Sequence, residues 1–479
     1  GIGKAERVMN PDRRVKDACC APQPEKGIAA MVFAGWARSK WMLTAAVCGL
    51  LASCANGPPP TPSPKPGVEQ PPAPETGPVR YTTSGHAAMD AWRDDFSARA
   101  IGAGHDRALV KSLLEGIRPL RLWLGTEVQS ATAPSAQAEF AKPIWDYLKV
   151  PMGATRISSG QTKLAALSPT LSAIEEQYGV DRQALLAIWG METSYGSFMG
   201  NDDAANALAN MAVEGRRQKF AEDELYALMT IVERGYARRD QLGSGWAGAM
   251  GHTQFMPSTY IAHAVDFDGD GKRDVWKSEA DALASAANYL ARSGYVKGQP
   301  WGLEVRVPAD FDYSLADGNE RRMDTWTAAG LTPITGTAFD TKGAEFGELW
   351  VPAGHEGPKY LLFKNFNVFK TYNRADSYAF AVGLSADAIM GKTGPLTPWP
   401  THLMPLTVSE LRDMQQALND RGFDAGVVDG IAGRRTKLAL AAFQKTQGQI
   451  ADGYPTKQML VMLQVSAVGT AGAGTVGAN

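Results

Sequence analysis

AIWGMETSYGSFMGN, residues 187–201, reads as the end of a helix that places a carboxylate where a carboxylate is costly. Just upstream, DRQALL puts Asp181 at a capping position, with Arg182, Gln183 and Ala184 as the first turn. Leu185, Ile188 and Trp189 recur at helical spacing as a buried stripe, and the next position on that stripe is Glu192. Ionised Glu is rarely buried without a partner, so apolar surroundings favour its neutral form and should raise its pKa. A carboxylic acid still protonated near neutral pH can hand a proton to a leaving oxygen, which glycosidic cleavage requires. Gly196 and Gly200 should end the helix soon after Glu192 and set it at a cleft edge. Periodicity alone leaves another role open, in which Glu192 pairs with a buried Arg or caps a neighbouring element. The closest acids in sequence are Asp202 and Asp203.

Outward from this stretch the chain is mainly helical. Trp92, Phe96, Ile101, Leu109, Leu113 and Leu114 predict helices broken near Gly102–Gly104, and Ile117–Gly125 a short strand or irregular apolar stretch. Helical spacing returns at 140–148 and 157–178, and Gly179-Val180-Asp181 turns into the Glu192 helix. Beyond it, DDAANALANMA and the stripe Phe220, Leu225, Leu228, Met229, Val232 predict two more helices. GSGWAGAMGHTQFMPSTY, residues 243–260, supplies glycines that let backbone approach a ligand, an amide in Gln254 that can donate and accept, and Pro257 for the first turn of a helix. His252 has no second His at metal-ligand spacing. In DFDGDGKRDVW, the residues Asp266, Asp268, Asp270, Gly271 and Asp274 match an EF-hand loop, but Lys277 stands where its last Glu belongs. Glu279 or Asp281 can supply that carboxylate, and a solvated Asx-rich turn is the plain alternative. LEVRV, GELWV and KYLLF between Trp301 and Phe369 read as a small strand-rich insertion.

WGMETSYG together with GHTQFMPS resembles the membrane-bound B-type lytic murein transglycosylases, and the likeness runs from Trp92 to Met390. The resemblance implies an α+β, mainly helical fold: a lysozyme-like catalytic core with the β-rich insertion. It implies Glu192 as the catalytic acid and base, with Arg216, Arg217, Gln254, Tyr289, Tyr372, Asn373 and Tyr378 facing the substrate. Arg suits planar carboxylates, which murein stem peptides carry in number. VEGRR departs from the aromatic and Pro that relatives more often place before the Arg pair, which puts the loop's shape in question. The family's displaced EF-hand implies Asp266, Asp268, Asp270, Asp274 and Asp281 as ligands of a structural calcium or sodium ion; the chemistry itself needs no cofactor. The implied reaction cuts the β-1,4 bond between N-acetylmuramic acid and N-acetylglucosamine and leaves 1,6-anhydromuramic acid ends. One Glu protonates the leaving oxygen, the N-acetyl group stabilises the cation, and the same Glu takes the proton of the muramyl 6-hydroxyl.

The two ends of the chain add delivery and binding. Residues 1–30 read as an upstream extension; the chain does not open with Met, and Met31 is the expected start. Residues 31–53 have a signal peptide's pattern: Arg38 and Lys40, then the apolar run Trp41–Ser53, which is too short to span a bilayer. Leu51-Ala52-Ser53-Cys54 resembles a bacterial lipobox, which implies diacylglycerol on Cys54. All four Cys lie at or before Cys54, so the mature chain would form no disulfide although it is exported. Residues 54–80 are the anchor and a Pro-rich linker with an extended preference. Residues 81–394 form the expected catalytic domain and 395–405 a linker. Residues 406–464 resemble a three-helix peptidoglycan-binding module through LRDMQQALNDRGF, VDGIAGRRTKLALAAFQ and ADGYPTKQMLVML, and 465–479 read as a disordered tail.

A net charge of −2 gives no basic footprint for nucleic acid. The expected partners are peptidoglycan glycan strands, the outer membrane through the lipid anchor, and cell-wall synthesis or division proteins. The expected location is the periplasm, on the outer membrane of a Gram-negative bacterium. Two other functions fit the same residues: a hydrolytic muramidase, and a non-catalytic lipoprotein that anchors the envelope to peptidoglycan.

Overall fold

In the computed structural model, helix α6 (Arg182–Thr193) is enclosed on every side: each residue from Ala184 to Gly190 is buried, not only the stripe read from the sequence. The structure describes residues 77–120 and 142–471. The expected signal peptide, Cys54 and most of the Pro-rich linker lie outside that range, as do residues 121–125 of the apolar stretch and 472–479 of the tail. No described helix is long and apolar enough to cross a membrane.

Two packed regions meet around α6. The first is α1 (Ala87–Gly102) and α2 (Arg107–Leu114), joined by α7 (Ala204–Glu214), α8 (Gln218–Glu233) and α9 (Pro257–His263) over a core of Phe96, Leu113, Leu208, Leu228, Phe255 and Tyr260. The second surrounds α6 with α3 (Ile144–Tyr147), α4 (Ala154–Ala166), α5 (Ser168–Tyr178) and α10 (Glu279–Arg292). It continues through α12 (Lys364–Phe369) and α13 (Asp376–Ile389). A two-stranded ribbon pairs β1 (Asp202–Asp203) with β2 (Gly243–Ser244), and so ties the chain just after the Glu192 turn to the Gly-rich loop.

The expected strand-rich insertion is a five-stranded antiparallel sheet, ordered β4 (Glu320–Arg322), β6 (Phe346–Trp350), β7 (Lys359–Leu362), β3 (Gly302–Arg306) and β5 (Thr332–Pro333), with the short helix α11 (Met323–Ala328) on it. Its period of two serves two cores. Tyr360 and Leu362 face the α6 region with Trp301 and Phe380, while Leu361 turns to Trp326, Leu349 and Phe363 on the other side.

The C-terminal part is three helices, α14 (Val408–Asp420), α15 (Arg434–Thr446) and α16 (Lys457–Ala471), around Met414, Leu418, Leu440, Phe443 and Leu463. It carries an internal repeat. Gln415 donates to Asp429 and accepts from Gly430 N at 2.8 Å; Gln444 donates to Asp452 and accepts from Gly453 N at 2.8 Å. Each Asp-Gly turn is thus clamped by one buried amide, and Gly430 and Gly453 both need positive φ (81° and 66°).

The linker 395–405 is held to the catalytic part: buried Glu304 accepts from Leu396 N and Thr397 N (2.7 and 2.8 Å), and Trp399 packs near Phe380 and Trp145. The final helix continues to Ala471, into the tail that reads as disordered, as an extension of a helix nucleated by the turns before it.

Candidate active site

α6 stops within one residue of Glu192, and the stop is strongly built. Ser194, Tyr195 and Gly196 follow one another in the left-handed region (φ 49°, 61° and 80°), a conformation that costs the two non-glycine residues energy and needs support from packing. Arg156 of α4 provides some of it, donating to Gly190 O at 2.7 Å and to Ser194 Oγ at 3.1 Å, a cation at the carbonyl end of a helix. Tyr195 closes back under the helix, where a Cβ on Gly190 would lie 2.7 Å from its hydroxyl.

The result is a half-buried Glu192 at the edge of the core. Tyr378, on the first turn of α13 and only 5% exposed, donates its hydroxyl to Glu192 Oε1. The Tyr372 hydroxyl is buried and has no hydrogen-bond partner. Burial, and then the nearby Glu192 charge, push both phenols well above their ordinary pKa, so both remain protonated donors. Tyr289 packs on Tyr372 with ring centres 5.2 Å apart and donates to Thr371 O at 2.9 Å. Asn373 accepts from Ala375 N at 3.0 Å and so holds the turn into α13. Four of the expected substrate-side residues, Tyr289, Tyr372, Asn373 and Tyr378, therefore share one wall with Glu192.

Others are placed differently. Gln254, at φ 50°, spends its amide donors on Gly251 O (2.9 Å) and Met199 O (3.2 Å), stapling the Gly-rich loop to the Glu192 loop. Its remaining oxygen has room because a Cβ at Gly245 would come within 2.9 Å of it. Arg216 and Arg217 sit on the corner between α7 and α8, in an open groove lined from Gly215 to Phe220. There Arg216 pairs with Glu214, and Arg217 lies 4.2 Å from the centre of the Phe220 ring. Asp203 caps α7 through Asn206 N at 3.0 Å and pairs with Arg239, so one of the two nearest acids is already engaged. Asp181 stands at the N-cap of α6 as expected, but its carboxylate makes no capping bond. Its Oδ2 instead accepts from Tyr295 Oη (2.9 Å) and Gly298 N (2.8 Å), which ties the start of the helix to the segment after α10.

In the acidic loop, oxygens of Asp266, Asp268, Asp270 and Asp281 lie within 4.8 Å of one another. Asp274 does not belong to this group. Its Oδ1 accepts from Trp276 N (3.0 Å) and Lys277 N (2.9 Å), a turn that leads the chain into α10. Asp281 comes in from the first turn of α10, fully buried, and accepts from Phe267, Asp268 and Asp274 N. Burial still raises its pKa. Glu279, the other candidate, pairs with Lys163 at 2.6 Å. The loop's clustered oxygens are of the kind that suits a hard cation, with the Asp281 carboxylate brought to them from the first turn of α10.

Sequence reasoning missed the roles of Arg156, Thr193 and the Trp189–His252 pair: Arg156 and His252 reach the Glu192 turn from other elements, and nothing local marks the bonds that Thr193 and Trp189 make to them.

Comparison with known proteins shows the family. Residues 88–387 match the family model described as the transglycosylase SLT domain, and residues 407–463 match a peptidoglycan binding domain. The chain is 32% identical over 215 residues to membrane-bound lytic murein transglycosylase B of Escherichia coli; the match covers 44% of this chain and 58% of that protein, so the chain spans little more than half of this curated relative. Among solved structures, SltB3 from Pseudomonas aeruginosa in complex with NAG-anhNAM-pentapeptide is 41% identical with a TM-score of 0.73, covering 78% of this chain and 99% of that one. SltB3 in complex with NAG-NAM-pentapeptide is 42% identical at the same TM-score and coverage. The Escherichia coli lytic transglycosylase Slt35 in complex with calcium is 27% identical with a TM-score of 0.53, covering 62% of this chain and 92% of that one.

Proposed function

Because the chain belongs to the transglycosylase SLT domain family, we propose that it is a peptidoglycan lytic transglycosylase that cuts the β-1,4 bond between N-acetylmuramic acid and N-acetylglucosamine and leaves 1,6-anhydromuramic acid ends. The observation that carries this reading is Glu192 itself: half-buried at a helix end, beside two phenols held protonated, with Asp203 spent elsewhere. An ordinary glycosidase needs a second carboxylate as nucleophile or base. Here Glu192 gives its proton to the leaving oxygen. The substrate's N-acetyl group stabilises the cation, and Glu192 then takes the proton of the muramyl 6-hydroxyl. Attack within one sugar has the high effective molarity of an intramolecular step. The Tyr378 hydroxyl orients the carboxyl, and Tyr372, Tyr289 and Asn373 complete the wall beside it. Gln254 presents an acceptor, and Arg216 and Arg217 meet stem-peptide carboxylates. That the related SltB3 is seen with glycan–peptide fragments supports this substrate class.

The same proposal assigns residues 406–464 to holding the wall and Cys54 to a lipid anchor on the periplasmic face of the outer membrane. It gives Asp266, Asp268, Asp270 and Asp281 to a structural calcium ion, which the calcium complex of Slt35 supports. Mass spectrometry of sacculus digests is the test. Products ending in 1,6-anhydromuramic acid, lighter by one water and resistant to borohydride, are expected. Reducing muramic acid ends would make the chain a hydrolase, and no turnover would make it an anchor.

A further inference from the structure

The Gly-rich loop does more than line the cleft. We propose that His252 is a positioning residue for the Glu192 turn: its imidazole and its main-chain carbonyl together hold residues 193–196 in the strained geometry that presents the carboxyl. This rests on reading Glu192 as the acid.

His252 is 8% exposed and grips the turn at three points. Its Nδ1 accepts from Trp189 Nε1 at 3.1 Å, with the two rings edge to face at 5.4 Å. An indole N–H can only donate, so Nδ1 must carry a lone pair and the ring must be neutral with its proton on Nε2. Burial holds the imidazole below its ordinary pKa and favours that form. Its main-chain carbonyl accepts from Thr193 Oγ1 at 2.7 Å, and the same hydroxyl accepts from Gly196 N at 3.0 Å. Finally, the ring fills the space where a side chain at Gly196 would be: a Cβ there would lie 2.3 Å from Cε1. Glu192 is thus followed by Thr193 on the carbonyl and Gly196 on the ring, and preceded by Trp189 on Nδ1.

The clamp is itself braced. His252 N donates to Val275 O at 2.9 Å, and the Lys163 ammonium lies 4.9 Å from the centre of the Trp189 ring while paired with Glu279. A site that holds its acid within a fraction of an ångström through packed neighbours gains rate rather than affinity when the neighbours are right, because a misplaced acid still lets substrate bind.

The test compares three variants of the full chain on soluble glycan. His252→Asn keeps an acceptor near the position of Nδ1; His252→Leu keeps bulk without it; Trp189→Phe removes the donor. His252→Leu and Trp189→Phe are expected to lower kcat about 10- to 100-fold, the range of one lost buried hydrogen bond, with KM nearly unchanged, and His252→Asn to recover most of that loss. Rates are taken per folded molecule from the melting curves. Full kcat in His252→Leu, or equal losses in Leu and Asn, would overturn the proposal. Glu192→Gln measured alongside separates the two readings: if it is inactive while His252→Leu is unimpaired, only the positioning role fails.

Discussion

The two ends of α6 each carry a carboxylate, and they are used in opposite ways. At the N-terminal end, Asp181 is buried and accepts from Tyr295 and Gly298, both on the segment that follows α10. At the other end, Glu192 is only half-buried and meets the hydroxyl of Tyr378 beside a second phenol with no partner. Asp181 holds two segments of the core together. Glu192 lies where its proton can leave and return. What differs is the place of each acid: Asp181 is tied to the segment after α10, whereas Glu192 meets a phenol of α13 at the edge of the core.

Exchanging chemistry at the two ends should therefore give opposite results. Glu192→Gln is nearly isosteric, keeps an oxygen for Tyr378 and cannot exchange a proton. It should lose ~10²–10⁴-fold or more in turnover with an unchanged melting temperature. Asp181→Ala should do the reverse. Leaving the Tyr295 hydroxyl without its acceptor and losing the bond from Gly298 N costs roughly 1–3 kcal/mol, and the melting temperature should drop by a few degrees while turnover per folded molecule is kept. Calorimetry and glycan turnover on both variants read the contrast directly. A stable but inactive Asp181→Ala would show that the two ends are not separable.

The sequence made one of these ends legible and misread the other. Glu192 stood out because a charged residue continued an apolar stripe and a specific string surrounded it. The helices of the catalytic part and the strand-rich insertion were legible through their periods of 3.6 and 2, and the three C-terminal helices through the resemblance of 406–464 to a peptidoglycan-binding module. Asp181 was read as a cap because capping is a local rule, whereas Tyr295 and Gly298 are distant in sequence and become neighbours only when α10 packs on α6. The same blindness hid Arg156 and His252, whose bonds to the α6 turn cross between elements. In the acidic loop, alternation of Asp pointed to Asp274, but that side chain is consumed by the turn into α10 while Asp281 arrives from the helix. Local patterns predict which residues can act; only packing decides which of them are already occupied.

Asp281 tests where the line between the two ends falls, because it shares features with both. Like Asp181 it is buried and accepts from main-chain donors, three in its case. Unlike Asp181 it joins Asp266, Asp268 and Asp270, whose oxygens crowd within 4.8 Å. Its pKa is raised, first by burial and with a further push from the Asp268 charge, so three N–H donors do not compensate this carboxylate fully. A bound divalent cation would supply what is missing, and a cation that binds only the folded loop stabilises the fold by mass action. Millimolar calcium should raise the melting temperature by an amount worth roughly 1–2 kcal/mol, and chelator should remove the rise. Asp268→Asn with Asp270→Asn keeps the volume of the exposed pair and deletes two charges, while Asp281 and its donors stay intact. That variant should melt close to the calcium-free parent, since repulsion falls as the ligands are lost, and it should no longer respond to calcium. If the parent itself ignores calcium and chelator, Asp281 belongs with Asp181 as a purely structural acid, and the loop is a turn that its donors alone hold closed.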